Sequence, residues 1–111
     1  MPKNIDNFQM VYKILSALEK AMDYPEFDIS QINAQSLGVS EERWSRYIEM
    51  MVDVGYIKGV RVFTNAFDTL RVEDNGIRIT LKGLEYLTEN SIMKRTYKAL
   101  KGITEITSKI E

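Results

Sequence analysis

An α+β fold, mostly helical and of the winged helix-turn-helix type, is predicted by three features of this 111-residue chain. A helix-sized segment begins at Ser40 and stops at Gly55-Tyr56-Ile57. A short helix and a glycine-containing turn, Leu37-Gly38-Val39, come before it. Short extended runs follow, and Ile79 to Leu87 then restarts a helix. A further helix is expected at the C-terminus. The chain thus divides into a winged-helix domain over 1–90 and an amphipathic helix over 91–111, packed on that domain or on a partner.

The first helix is expected over Asp6 to Asp23, with Phe8, Val11, Tyr12, Leu15 and Leu18 as its apolar stripe. Tyr24-Pro25 ends it, because a residue before proline is pushed out of the α region. Phe27-Asp28-Ile29 reads as a short edge strand. Ser30 is expected to cap a second helix running to about Leu37, which Gly38 breaks.

The third helix is marked at both ends. Ser40 is an N-cap residue, and Glu41 and Glu42 sit in the first turn, where carboxylates suit the helix dipole. Gly55 stands just past the end, as a left-handed cap requires, followed by the apolar Tyr56. Trp44, Tyr47, Ile48, Met51 and Val52 share one face. At about 100° per residue the opposite face carries Glu42, Arg46, Glu49 and Asp53.

Ile57 to Phe63, Thr69 to Glu73 and Ile77 to Thr80 are rich in β-formers. Two hairpins fit. One turns at Thr64 to Asp68 and forms the wing. The other turns at Asn75-Gly76 and sets Glu73 opposite Arg78, Val72 opposite Ile79 and Leu70 opposite Leu81. A three-stranded meander satisfies both. Thr80 is expected to cap a fourth helix, Leu81 to Glu89, closed by Asn90. Ser91 starts the last helix, whose apolar positions are Met93, Tyr97, Leu100, Ile103, Ile106 and Ile110.

Leu37-Gly38-Val39, Gly55-Tyr56-Ile57-x-Gly59-Val60 and Ile79-Thr80-x-Lys82-Gly83-x-x-Tyr86-Leu87-x-Glu89-Asn90, continued by Tyr97-Lys98 and Lys101, form an ordered set. In these residues, over roughly two-thirds of its length, the chain resembles the YjcQ-like family of small bacterial and phage proteins. The resemblance implies a winged-helix fold and a prophage or phage setting. It implies no activity.

Composition narrows the functions. There is no cysteine and no histidine, so thiolate chemistry, disulfides, the usual zinc ligand sets and the commonest general base are all absent. Glu41-Glu42 and Glu73-Asp74 are adjacent in sequence, and adjacent side chains diverge rather than converge on a substrate. No glycine-rich phosphate loop exists. An enzyme is not expected, nor a cofactor, a metal or a small-molecule substrate. The chain has no apolar run long enough for a membrane span and no signal-peptide start, so a cytoplasmic protein is expected.

Net charge is −1, with five basic and two acidic residues from Ser91 onward, so the first 90 residues carry −4. The fold makes double-stranded DNA the first partner to test, with Ser40, Arg43, Arg46, Lys58, Arg61, Arg71 and Arg78 as candidate contacts and Lys82 nearby. The acidic outer face of the third helix opposes that reading. The last helix points to a homodimer, with Tyr97, Leu100, Ile103, Ile106 and Ile110 as candidate contacts. The expected function is a small DNA-binding regulator or accessory protein. The alternative is a non-enzymatic protein-interaction module that keeps the scaffold and does not bind DNA.

Overall fold

The computed structural model describes residues 7–90, starting with helix α1, Asn7–Lys20. Its buried face is Met10, Ile14, Leu15 and Leu18. That face is rotated from the predicted stripe: Phe8 is exposed, and Val11 and Tyr12 lie half-buried at the margin. The reason is that α1 is apolar around more than half its circumference, so spacing alone leaves the centre of the buried arc open. A 3-10 turn, Ala21–Asp23, extends the helix, and Tyr24 then takes extended backbone before Pro25.

Phe27 to Ile29 does not form the predicted edge strand. The Asp28 carboxylate accepts from the Ser30 N–H at 3.0 Å and starts a 3-10 turn, Ile29–Ile32. A side chain that satisfies backbone locally competes with a strand ladder. Hydrogen bonds from Ser30, first its side chain and then its backbone, hold the Asp28 carboxyl below its usual range. This contribution to stability is complete at neutral pH and is lost as pH falls through that lowered value. Ser30 is not the helix cap. Asn33 is, its Oδ1 accepting from the Ser36 N–H at 2.8 Å to start helix α2, Ala34–Leu37. Gly38, at φ 74°, ends α2 in the left-handed region as expected.

Helix α3 runs Glu41–Asp53. Ser40 Oγ accepts from the Arg43 N–H at 3.1 Å. Trp44, Tyr47, Ile48 and Met51 are buried in one core cluster with the α1 residues Met10, Ile14, Leu15 and Leu18, and Trp44 Nε1 donates to the Ile32 carbonyl at 2.6 Å, tying α3 to the turn before α2. At the far end Gly55 takes φ 87°. Its N–H returns to Val52 O at 3.0 Å and the Tyr56 N–H to Met51 O at 2.8 Å, the paired bonds of a Schellman motif.

Strand β1, Ile57–Thr64, pairs antiparallel with β2, Leu70–Ile79. The wing therefore turns at residues 65–69, where Asn65 Oδ1 accepts from the N–H groups of Phe67 and Thr69. The Asn75-Gly76 hairpin and the third strand do not form. Asp74 Oδ1 accepts from the N–H groups of Gly76 (3.0 Å) and Ile77 (2.9 Å), folding this stretch into a bulge within β2. Lys58 still faces Arg78, but Val60 faces Asp74, so four residue steps on β2 oppose two on β1. Gly59 fits the bulge at φ 88°, and a Cβ there would run into the Gly76 carbonyl oxygen. In place of the predicted pairs, Glu73 faces Arg61, Val72 faces Val62, Leu70 faces Thr64 and Ile79 faces Ile57.

Helix α4 occupies residues 81–90. Thr80 Oγ1 accepts from the Gly83 N–H at 3.1 Å, confirming its capping role, and donates to the Gly55 carbonyl. Ile57, Ile77, Ile79 and Leu87 complete the core begun by α1 and α3. Together these elements make a winged helix. The predicted last helix, with Tyr97, Leu100, Ile103, Ile106 and Ile110, lies outside the described residues.

Gly55→Ala is expected to cost about 1 kcal/mol, because a Cβ is disfavoured at positive φ. Gly59→Ala is expected to cost more, since backbone collision adds to the same penalty. Urea denaturation of the two variants checks both the magnitude and the order.

Candidate functional site

Two surfaces of different chemistry emerge. The first is the exposed side of α3. Ser40 lends its oxygen to the helix cap. Arg43 Nη1 donates to Asn7 Oδ1 and to Tyr47 OH, both at 3.1 Å, while Tyr47 OH donates to Asn7 Oδ1 at 2.5 Å. Arg43 is therefore engaged in joining α3 to the start of α1. Arg46 is exposed, and its side chain makes no hydrogen bond or ion pair among the described residues. It is outnumbered by Glu42, Glu49 and Asp53 on the same side. Beside these carboxylates runs an apolar flank: Met50 is 52% exposed and Val54 47%. With Phe8, Val11, Tyr56 and Tyr86 they wall an open groove of about 720 Å³, with Glu42, Arg43 and Arg46 at its polar end. Tyr56 and Tyr86 pack with ring centroids 4.9 Å apart.

The second surface is the outer side of the hairpin. Val60, Val62 and Val72 pack on the core. Alternation then turns Arg61, Phe63, Arg71 and Glu73 to the other side, and the register sets Arg61 across from Glu73 and Phe63 across from Arg71. Below the bulge Lys58 and Arg78 face each other, both exposed, Lys58 next to the buried Ile57 and Arg78 between the buried Ile77 and Ile79. Four cations and one carboxylate thus share this side. Arg61 Nε meets Glu73 Oε1 at 2.8 Å, and its guanidinium sits 4.2 Å over the Phe63 ring. Arg78 Nη1 donates to Gly76 O at 3.0 Å. The Lys58 and Arg71 side chains make no hydrogen bond or ion pair among the described residues.

Of the predicted DNA contacts, the fold gathers Lys58, Arg61, Arg71 and Arg78, leaves Arg46 apart, and gives Ser40 and Arg43 structural work. Phe8, expected in the core, lines the groove instead, and Phe63 under Arg61 and Phe67, 87% exposed at the wing tip, are not among the expected site residues. The two-residue spacing of Arg61 and Phe63 is the signal that places both on one side of a strand. Among the described residues no cluster of three or more acidic side chains is arranged to hold a metal ion. No helix there is long and apolar enough to cross a membrane.

The family model described as YjcQ protein matches residues 12–106. The chain belongs to the YjcQ family. No curated protein and no solved structure matches it. The YjcQ match begins within α1, takes in the wing and α4, and runs on past Asn90. The segment after α4 is thus part of the YjcQ pattern through residue 106.

Tyr47→Phe is expected to destabilise this YjcQ-family chain by about 1 kcal/mol, the usual net worth of a hydrogen bond. Arg43→Ala should likewise lower the melting temperature. Thermal unfolding by circular dichroism checks both.

Proposed function

We propose that this YjcQ-family chain is a non-enzymatic DNA-binding regulator or accessory protein that holds duplex phosphates through the wing rather than through α3. The supporting observation is the pairing register, which collects Lys58, Arg61, Arg71 and Arg78 on one exposed side with Glu73 alone against them. A phosphate-lined groove attracts that surface and repels the α3 side bearing Glu42, Glu49 and Asp53. Contacts of this kind position a protein on DNA without reading bases, so binding is weak and tolerant of sequence. The second reading, a protein-interaction module, is favoured by the exposed apolar row of Phe8, Met50 and Val54.

Fluorescence anisotropy on a random duplex at low salt separates the two. Arg71→Ala and Arg61→Ala should weaken binding, and Arg46→Ala should change it little. The logarithm of affinity should fall with that of salt with a slope of roughly one unit per phosphate contact, up to about four. Glu49→Lys with Asp53→Lys should tighten binding by relieving repulsion. If neither the wild type nor the lysine variant binds, the interaction module is the surviving reading.

A further inference from the structure

We propose that the groove between α1 and α3 is the seat of the chain's own C-terminal segment, residues 91–111. The groove offers exposed apolar surface: Phe8 is 74% exposed and Met50 52%, with Val54 one turn beyond Met50. The chain leaves the described structure beside it. Tyr86 lines the groove, and α4 reaches residue 90, one turn further on. There Asn90 Nδ2 donates to Tyr86 O at 2.8 Å, a side chain supplying a carbonyl of the last turn. Ser91, a residue type that starts helices, comes next.

The segment has the complementary chemistry. Met93, Tyr97, Leu100, Ile103, Ile106 and Ile110 recur at helical spacing. As a helix, its length would be about 30 Å, enough to run the whole length of α3. It holds five basic and two acidic residues, whereas residues 7–90 hold nine basic and thirteen acidic. Glu42 lines the groove, and Glu49 and Asp53 follow it along the same helix. A tethered segment also meets its own groove at an effective concentration in the millimolar range, which favours it over a second copy. This inference does not depend on DNA binding: it concerns the opposite chemistry on a different surface.

The chain has no cysteine, so Glu105→Cys, off the apolar stripe, gives a single attachment point for a nitroxide on the full-length protein. Docking predicts selective broadening of the Phe8, Met50 and Val54 amide signals, with the Phe67 amide at the wing tip much less affected. It also predicts no broadening in a mixture of spin-labelled, isotope-free chain with isotope-labelled chain lacking the nitroxide. Phe8→Asp with Met50→Asp should abolish the effect. Leu81→Asp, at an equally exposed apolar residue outside the groove, should leave it intact. The proposal is overturned by uniform or absent broadening, by broadening in the mixed sample, which would mark contact between copies, or by its survival in the Phe8, Met50 double variant.

Discussion

The structure depends on one junction, built around Thr80. Its hydroxyl donates to the Gly55 carbonyl and accepts from the Gly83 N–H, while its own N–H donates to Tyr56 O at 2.9 Å. The end of α3, the start of β1, the end of β2 and the start of α4 therefore meet on a single residue. Gly83 allows the close approach, since a Cβ there would strike Tyr56 O and Ile79. Each hydrogen bond is worth only about 1 kcal/mol net. Their joint effect is orientational: they fix the angle at which the wing leaves the helical body, and so where its cations stand.

That orientation separates surfaces that a net charge of −1 hides. The hairpin presents its cations outward, while α3 presents carboxylates and then methionine and valine. Local fields, rather than the total charge, decide what approaches each side. A nearly neutral total thus coexists with a cationic side on the hairpin and an acidic side on α3.

The helix ends were legible in the sequence because capping is local. Ser40, Gly38 and Gly55 do what their types and positions announce. The wing register was not, because Asp74-Asn75-Gly76 suits a tight turn and a bulge alike. The choice is made across the sheet by Gly59, whose missing Cβ leaves room for the Gly76 carbonyl. Spacing also could not centre the buried arc of α1, which hid Phe8 as a groove residue. For the site, charge named the candidate arginines but not what each side chain is engaged in. That Arg43 is spent on Asn7 and Tyr47 depends on a contact 36 residues away in sequence.

The bulge in β2 bears on how this small sheet behaves in company. Among the described residues the sheet has two strands, and the edge of a sheet invites another chain to add itself as a further strand. Here the ladder is offset by two residues between Lys58 and Val60, and both glycines at that point carry left-handed backbone. An incoming strand in regular register would match the edge on one side of the kink and lose it on the other. The irregularity therefore makes the hairpin a poor seed for growth into fibrils.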